Sequence, residues 1–403
     1  MQSARKNFGQ NAEMIELMKD LVAISSPYFQ EAEVMRYAHG WLKEQGFDPL
    51  FHKYSESKVF KYDGENVVCT AAGQSAGPTV CLNGHLDTVT LTKGWSRDPY
   101  AGLIEDDRMY GLGALDMKSG CCAMMLAMRN FVKKNPKFSG RIILTLVSDE
   151  EGPFGLGTNA LIEDGTLEGV DCSIVTEPSA GFTKQDFPTL ALGARGSFVY
   201  QVEFFGKAAH AAMPEDGINA AVDAGKFLGA LKRITPREDP LLGGGRVCPI
   251  SMEADGGACS VPEYAKVTVQ RHIVTGDEVE AVLGEVRELL DSLNLKSRYK
   301  LGLRDYPSEP TRLYQPYTVP RENPHAAAMI ESMRQVCGRE PNYGYLATIG
   351  DFNYLGTRLG GAPALLVGAA GENIHQSDEF VLLSSISGLI EVLEDFLVRT
   401  LVR

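Results

Sequence analysis

The chain is organised around a short stretch that runs Cys81-Leu82-Asn83-Gly84-His85-Leu86-Asp87-Thr88-Val89. The apolar residues from Pro78 to Leu82 are typical of a strand, and Asn83-Gly84 ends that strand just before His85 and Asp87. Side chains two residues apart at a strand end point to the same side, so the Asp87 carboxylate can accept a hydrogen bond from one ring nitrogen of His85. The other ring nitrogen is then free to face a metal ion, as in most metal-bound histidines. A lone His-x-Asp pair is more often a surface hydrogen bond at a turn, so this interpretation depends on the rest of the chain.

Length and charge limit the classes of protein to consider. At 403 residues the chain exceeds the size at which one hydrophobic core stops growing, which predicts two domains. Its 39 Lys and Arg against 52 Asp and Glu leave a net charge of −13, which disfavours nucleic acid and anionic membrane surfaces as partners. We see no apolar signal segment and no apolar run long enough to span a membrane. The eight cysteines are scattered without C-x-x-C spacing, as in a reduced protein, so we expect a cytoplasmic location.

The first part of the chain alternates helical and strand patterns. Apolar residues recur at helical spacing over Met14–Val22 and Val34–Leu42. The near-continuous apolar runs Arg141–Val147 and Cys172–Val175 are typical of strands buried on both faces of a parallel sheet. Acidic residues follow both runs, and in α/β proteins the site lies at the carboxyl edge of the sheet. We therefore predict an α/β domain with a mixed sheet and a functional site at that edge.

The pattern changes between about residue 190 and residue 305. The predicted elements there are strand Leu190–Phe205, helix Gly217–Ile234, strands Gly245–Ala254 and Glu263–Val274, helix Asp277–Leu293 and strand Arg298–Leu303. This βαββαβ order predicts a ferredoxin-like domain. The α/β pattern resumes afterwards. We therefore expect a discontinuous catalytic domain of residues 1–189 and 306–403 with an inserted domain of residues 190–305.

Five candidate metal ligands fall at strand ends or in loops of the α/β part: His85, Asp116, Glu151, Glu177 and His375. Two imidazoles and three carboxylates suit a pair of zinc-like ions about 3.5–4 Å apart that share one carboxylate. Glu150 precedes Glu151, so its side chain diverges and can act as general base toward a water between the ions. Individually, Asp116 could cap a helix, Glu177 could lie in a turn, and His375 could be a core histidine. One metal site accounts for all five positions together, which is why we favour it.

Five motifs resemble those of the M20 metallopeptidases. They are Asn-Gly-His-Leu-Asp-Thr-Val (83–89), Gly-Leu-Gly-Ala-Leu-Asp-Met-Lys-Ser-Gly (111–120), Asp-Glu-Glu-Gly (149–152), Thr-Glu-Pro (176–178) and Asn-Ile-His-Gln-Ser-Asp-Glu-Phe (373–380). The match runs in order from about residue 80 to residue 380. The family includes acetylornithine deacetylases, succinyl-diaminopimelate desuccinylases, aminoacylases and glutamate carboxypeptidases.

The resemblance implies a role for each candidate residue. Asp116 would bridge two metal ions. His85 and Glu177 would complete the first metal site, and Glu151 and His375 would complete the second. Glu150 would be the general base, and a cis peptide bond would follow Asp116. The cofactors would be two divalent metal ions, zinc first, with cobalt or manganese as alternatives.

The resemblance extends to the inserted domain, which in this family serves as a lid and dimerisation domain. His210 begins the stretch His-Ala-Ala-Met-Pro-Glu-Asp-Gly-Ile-Asn-Ala (210–220). In a homodimer it would reach the partner subunit's site and stabilise the oxyanion. Arg271, at the end of a predicted strand, would clamp a substrate carboxylate. A polar loop histidine and an exposed strand-end arginine are the structural alternatives.

Two departures from the family pattern lie where substrate is held. Cys259 stands where the family usually has an asparagine, and Gly368-Ala369-Ala370-Gly371 replaces a usual Gly-Pro-Gly. These departures leave the acyl group and the amino acid of the substrate open. They also leave open the choice between a deacylase and a dipeptidase or carboxypeptidase.

The functional hypothesis is a metal-dependent amidohydrolase or peptidase that cleaves an N-acyl amino acid or small peptide next to a free carboxylate. One alternative is a dizinc aminopeptidase of the M28 type, which would lack the inserted βαββαβ domain and would hold a free amine with acidic groups. The other alternative is a catalytically silent, ligand-binding relative. The intact ligands and base argue against it.

Overall fold

The computed structural model describes residues 11–402. Among these residues, no helix combines the length and the apolar character that crossing a membrane requires. Single turns of 3-10 helix lie at Pro214–Asp216, Leu231–Arg233 and Glu309–Arg312. The α-helices are α1 (Ala12–Ala23), α2 (Ala32–Glu44), α3 (Ser119–Lys134), α4 (Leu156–Glu163), α5 (Ser179–Thr183), α6 (Ala220–Ala230), α7 (Val279–Asp291), α8 (Pro324–Cys337), α9 (Asp351–Arg358) and α10 (Leu383–Leu401).

The strands of the described residues form four sheets. In chain order they are β1 (Leu50–Glu56), β2 (Tyr62–Ala72), β3 (Ser75–His85), β4 (Leu103–Glu105), β5 (Arg108–Tyr110), β6 (Ser139–Val147), β7 (Cys172–Val175), β8 (Thr189–Ala194), β9 (Gly196–Phe205), β10 (Glu238–Asp239), β11 (Gly243–Gly244), β12 (Arg246–Ala254), β13 (Tyr264–Ile273), β14 (Arg298–Leu303), β15 (Tyr317–Thr318), β16 (Asn342–Leu346), β17 (Ala364–Leu366), β18 (Gly371–Glu372) and β19 (Phe380–Leu382).

The larger structural unit comprises the chain through Ala194 and again from Tyr317. Its main sheet has nine strands in the order β1-β2-β6-β3-β7-β17-β8-β15, with β16 also paired to β8. β3 is parallel to both β6 and β7, whereas β1, β2 and β15 pair antiparallel, which confirms the predicted α/β class with a mixed sheet. Residues 79–85 of β3 are all buried, as expected of a strand covered on both faces. A separate antiparallel sheet of order β18-β19-β5-β4 belongs to the same unit.

The smaller unit comprises Arg195–Pro316. Its four-stranded antiparallel sheet has the order β12-β13-β9-β14, which is the strand order that a βαββαβ chain produces in a ferredoxin-like fold. One face of this sheet packs under α6 and α7 in an apolar core of its own. The bounds expected for the inserted segment, residues 190 and 305, differ from this division, which falls at residues 195 and 316.

The expected long strand Leu190–Phe205 is in fact two strands that belong to different sheets, and this correction explains the displaced boundary. Glycines mark the break. A Cβ at Gly193 would lie 2.2 Å from the carbonyl oxygen of Tyr317, and one at Gly196 would lie 2.3 Å from that of Tyr314. Only glycine allows backbones to approach so closely. Because both strands are apolar, hydrophobicity alone did not reveal the division between them.

Candidate metal centre

Three candidate ligands follow neighbouring parallel strands of the large sheet. His85 is the last residue of β3, Glu151 follows β6, and Glu177 follows β7. Because β6, β3 and β7 are adjacent and parallel, their carboxyl ends meet at one edge of the sheet. This edge is where the sequence predicts the functional site.

Two further candidate ligands reach this edge from irregular segments. Asp116 lies in the segment Ala114–Lys118, where Asp116 (φ −112°, ψ 99°) and Met117 depart from helical geometry. The Asp116-Met117 peptide bond is cis, which confirms that expectation. His375 lies between β18 and β19 with φ 60°, a left-handed conformation that its surroundings must hold in place.

The five side chains form two groups that share Asp116. In the first group, Nε2 of His85 lies 3.3 Å from Oδ1 of Asp116 and 3.6 Å from Oε1 of Glu177. In the second group, Nε2 of His375 lies 3.4 Å from Oδ2 of Asp116 and 2.9 Å from Oε1 of Glu151. In each group, one candidate ligand atom per residue lies within 4.8 Å of the others. The two oxygens of Asp116 therefore face different groups, as a carboxylate shared by two ions requires.

The donor atoms of both groups fit divalent metal ions. Nε2 of His85 and Oδ1 of Asp116 are buried without a hydrogen-bond partner, although buried polar atoms are normally paired. Imidazole nitrogen and carboxylate oxygen are donors that zinc and similar ions accept. The first group is closed, with the His85 side chain 1% exposed, whereas the His375 side chain is 47% exposed. A cation in the second group would therefore be the more accessible one.

The electrostatics of the centre favour a cation. Burial raises the pKa of Glu150 and Glu177 well above their ordinary value, and the charges of neighbouring carboxylates raise it further. Burial acts to lower the pKa of His85, but the carboxylates around it outweigh burial and hold that pKa above its usual range. Burial likewise opposes ionisation of Asp116, yet the nearby imidazoles of His375 and His85 lower its pKa. An excess of buried carboxylates is costly unless positive charge compensates it.

Glu150 lies beside the first group. Its Oε2 is 3.8 Å from Nε2 of His85, and its Oε1 accepts a hydrogen bond of 3.2 Å from the main-chain N–H of Asp351. Asp351 is the first residue of α9, and N–H groups at the start of a helix stabilise a carboxylate. This contact holds one oxygen of Glu150 and turns the other toward the ligands.

The hydrogen bonding of His85 differs from the expected one. Its Nδ1 donates to the main-chain carbonyl oxygen of Asp87 at 3.0 Å, whereas Oδ1 of the Asp87 carboxylate is 3.5 Å away. That carboxylate instead accepts hydrogen bonds from the main-chain N–H groups of Glu150 (3.3 Å) and Glu151 (2.8 Å). Asp87 thus orients the His85 ring through its backbone. Through its side chain it orients the loop that carries Glu150 and Glu151.

His210 is an exposed residue of the smaller unit. Its Nδ1 accepts a hydrogen bond of 3.1 Å from the main-chain N–H of Ala212, so the ring proton lies on Nε2. The neighbouring loop is fixed to it, since the N–H of Ala211 donates to the carbonyl oxygen of Cys259 at 2.8 Å. Cys259, one of the two departures from the family pattern, is an exposed free thiol beside His210.

Arg271 is a buried residue of the smaller unit. Its side chain is 1% exposed, and Nε and Nη1 have no hydrogen-bond partner among the described residues. In β13 it alternates with polar residues and shares the buried face of Val267, Val269 and Ile273, which pack in the apolar core with α6 and α7. This buried position differs from the exposed strand end of the structural alternative. The clamp role of Arg271 stays a prediction.

The opposite face of β13 carries accessible positive charge. His272 pairs directly with Arg246 across the β12–β13 ladder, so their side chains share that face. Burial lowers the pKa of His272, and the charges of Arg195, Arg246 and Arg271 lower it further. Nδ1 of His272 has no hydrogen-bond partner among residues 11–402. Guanidinium groups beside an unpaired imidazole nitrogen are suited to hold a carboxylate.

Replacing Arg271 and Arg246 separately by methionine distinguishes the two faces. Arg271→Met should leave the KM of carboxylate-bearing substrates unchanged and raise the thermal unfolding midpoint, because it removes unpaired buried donors that each cost about 1–3 kcal/mol. Arg246→Met should raise that KM about tenfold or more, the effect of losing one charge-assisted hydrogen bond. Steady-state kinetics and calorimetry give both quantities. A raised KM in Arg271→Met together with an unchanged KM in Arg246→Met would instead support the predicted clamp role of Arg271.

Two buried ionisable residues near the centre, Glu31 and Lys118, have no role predicted from the sequence. Glu31, 2% exposed, accepts a hydrogen bond of 3.1 Å from the main-chain N–H of Asp149, next to Glu150. Lys118, fully buried, donates to the carbonyl oxygens of Leu21 and Ile24 at 2.8 Å each. Lys118 lies inside a family motif, two residues after Asp116, and could have been found by that position. Glu31 lies outside every motif, and its sequence context carries no such signal.

Fold and ligand groups together define a metal-dependent hydrolase of the two-domain α/β type. The family described as peptidase family M20/M25/M40 matches residues 81–399, and the chain belongs to this family. The resemblance drawn from the motifs is thereby confirmed, and the protein is a metal-dependent amide hydrolase. The M28-type alternative is contradicted, because the family match spans the inserted βαββαβ unit that such an enzyme would lack.

Similarity to characterised proteins extends over nearly the whole chain. The succinyl-diaminopimelate desuccinylase of Marinobacter nauticus is 27% identical over 395 residues, which cover 96% of this chain and 98% of that protein. The M20-family metallo-carboxypeptidase Sso-CP2 from Sulfolobus solfataricus has a TM-score of 0.76 at 18% identity, covering 96% of this chain and 99% of that one. A dinuclear metal-binding M20 peptidase from Bacillus subtilis has a TM-score of 0.68 at 15% identity, covering 96% and 98%. At such low identity, the two structures establish the fold alone.

Proposed function

We propose that the protein hydrolyses the amide bond of an N-acyl amino acid or small peptide next to a free carboxylate, with Glu150 as general base. The observation that carries this proposal is the pair of ligand groups that share Asp116 beside Glu150. Amide hydrolysis needs an activated water, stabilisation of the oxyanion and a proton for the leaving amine. Each need is met by a different part of the chain.

The five candidate ligands would hold two divalent metal ions, zinc first, with cobalt or manganese as alternatives. Asp116 would bridge the ions. His85 and Glu177 would complete one site, and Glu151 and His375 the other. When bound, the ions would supply Lewis acidity that lowers the pKa of water and polarises the substrate carbonyl. The dinuclear relative from Bacillus subtilis supports a pair of ions on this fold.

Glu150 would take a proton from the attacking water and return it to the leaving amine. Burial raises its pKa, which suits a group that must accept and release a proton near neutral pH. Two contacts restrict its motion. The Asp351 N–H holds Oε1, and the Asp87 carboxylate holds the main-chain N–H of Glu150. Asp87 would thus act as a positioning residue for the base.

His210 would donate a hydrogen bond to the oxyanion from the partner subunit of a homodimer. Its exposure and the protonation of Nε2 support this role, since an oxyanion donor must present an N–H outward. The smaller unit also offers a surface for pairing. β12 is an edge strand of its sheet and leaves Ile250 and Met252 50% and 43% exposed. An edge strand with exposed apolar side chains is suited to pair with a second copy.

A free carboxylate beside the scissile bond is the feature that we expect the enzyme to recognise. The guanidinium groups of Arg195 and Arg246 near the His272 imidazole support this proposal. The desuccinylase from Marinobacter nauticus makes N-succinyl amino acids the first substrates to test.

A substrate panel tests the proposed function. N-acetyl amino acids, N-succinyl amino acids and dipeptides would be assayed with metal-free protein and after loading with zinc or cobalt. We expect hydrolysis of at least one class only after loading, and at least about tenfold slower hydrolysis when the free carboxylate is converted to a carboxamide, because a charge-assisted hydrogen bond is lost. Folded, metal-loaded protein that hydrolyses no member would contradict the proposal. Equal rates for acid and carboxamide would contradict the recognition of the carboxylate.

A further inference from the structure

We propose that Glu379 is a positioning residue that holds the segment bearing Asp116 in the geometry that the second metal ion needs. This inference rests on the proposed function of the two ligand groups. Glu379 lies outside both groups and is no ligand in either. In the part of the chain that the structure describes, its carboxylate accepts hydrogen bonds only from the backbone around Asp116, the shared ligand.

The Glu379 carboxylate accepts three main-chain hydrogen bonds from one turn. Oε1 accepts from the N–H of Leu115 at 2.8 Å and of Asp116 at 3.0 Å, and Oε2 accepts from the N–H of Gly113 at 3.1 Å. The side chain is 1% exposed, so water cannot replace it. Since Asp116 and Met117 are not helical, the turn has no regular helical hydrogen bonds with which to satisfy these N–H groups. Without the carboxylate, three buried donors would lose their partner.

The same residue is tied to the chain that carries His375. Glu379 follows His375 by four residues and directly precedes β19, which pairs with β5. Its own carbonyl oxygen accepts a hydrogen bond of 3.0 Å from the N–H of Gly111, where the turn begins. Glu379 therefore connects the His375 segment with the Asp116 segment through both backbone and side chain. Glu379 thereby sets the separation of Asp116 and His375, two ligands of the second group. His85 and Glu177 belong to strand ends that Glu379 does not contact.

Glu379→Gln should therefore weaken one metal site more than the other. The amide keeps one acceptor oxygen but turns its NH₂ toward at least one main-chain N–H, which shifts the turn relative to His375. Loss of an outer partner of a metal ligand typically weakens metal binding about 10–100-fold. We expect the affinity for the second Zn²⁺ ion to fall by that factor and the affinity for the first Zn²⁺ ion to fall less. We also expect a lower kcat with little change in KM.

Stepwise titration of metal-free protein with Zn²⁺ against a chelating indicator tests the inference. The matched control is Glu372→Gln, the same change at an exposed residue of β18 on the other side of His375, which should titrate like wild type. Wild-type affinities for both ions in Glu379→Gln would overturn the inference. An equal loss for both ions, accompanied by a lower unfolding midpoint of the metal-free protein, would also overturn it, since that is the effect of general destabilisation. Wild-type protein that binds no Zn²⁺ would instead refute the metal site itself.

Hydrogen exchange of the wild-type protein keeps the inference testable if the variant does not fold. The N–H groups of Gly113, Leu115 and Asp116 lie in an irregular turn, where amides usually exchange fast. If Glu379 holds them, they should remain protected in metal-free wild-type protein. Fast exchange of all three without metal would show that the carboxylate does not hold the turn and would overturn the proposal.

Discussion

Glu150→Gln should keep both metal ions and lose about 10²–10⁴-fold in kcat, the contribution of a general base. The amide has the shape of the carboxylate but cannot accept a proton from water at neutral pH. Its oxygen can still accept the hydrogen bond from the main-chain N–H of Asp351, so the side chain should stay in place. Metal content by mass spectrometry and single-turnover kinetics with the best substrate of the panel would measure the two properties separately.

Glu151→Gln is the matched control because it makes the same change one residue further along the chain. Glu151 belongs to the second ligand group, with Oε1 2.9 Å from Nε2 of His375, whereas Glu150 belongs to neither group. We therefore expect Glu151→Gln to lose metal and activity together and Glu150→Gln to lose activity alone. A kcat near that of wild type in Glu150→Gln would assign Glu150 a structural role and remove it from the proposed mechanism.

The bounds of strands with a clear pattern of apolar and polar residues could be predicted closely from the sequence. The strands expected at Cys172–Val175 and Arg298–Leu303 coincide with β7, which is an apolar run, and β14, in which the polar residues Arg298 and Lys300 alternate with apolar ones. β16 and α9 had no such signal. β16 is only half buried and contains a glycine between two tyrosines, and the buried face of α9 includes the polar residues Asp351 and Asn353. Elements buried through polar contacts leave no hydrophobic period to detect.

The candidate ligands could be predicted because they occupy strand ends, where topology brings distant residues together. The hydrogen bonds that hold the segments carrying these ligands could not be predicted. Glu31 and Asp149 are separated by 118 positions along the chain, and Glu379 lies 263 positions beyond Asp116. Which main-chain N–H groups such a carboxylate reaches depends on the local path of two segments, and no spacing rule describes that path. This is why the motif containing Glu379 revealed His375 but not the role of its neighbour.

The burial of Arg271, in contrast, could have been predicted from the sequence. Successive residues of a strand face opposite sides, so an arginine in register with Val267, Val269 and Ile273 belongs to their apolar face. His272, the next residue, lies on the accessible face beside Arg246. Strand period alone therefore places Arg271 and His272 on opposite faces of the sheet.

Mixing two inactive variants should restore activity if His210 acts across a dimer. His210→Ala removes an oxyanion donor, which typically costs about 10²–10³-fold in kcat, and Glu150→Gln removes the base. In a mixed dimer, one site combines an intact Glu150 with an intact partner's His210, whereas the other site lacks both. Random exchange makes about half of the dimers mixed with one working site each, so recovery should approach about a quarter of wild-type activity. Activity would be followed over time after mixing, with subunit exchange measured by energy transfer between labelled chains.

The control for this experiment is Glu150→Gln mixed with a chain that carries both Glu150→Gln and His210→Ala. No combination of these chains contains a working base, so no recovery is expected although exchange proceeds equally. The expected recovery exceeds the residual activity of either variant by a large factor, which makes the outcome unambiguous. The hydrogen bond from the main-chain N–H of Ala212 to Nδ1 of His210 also supports the role of His210 as a donor. It makes Nδ1 an acceptor and leaves the proton on Nε2 to be donated. Exchanged dimers without recovered activity would show that His210 acts within its own chain or has no catalytic role. A protein that remains monomeric throughout would contradict the proposed homodimer as well.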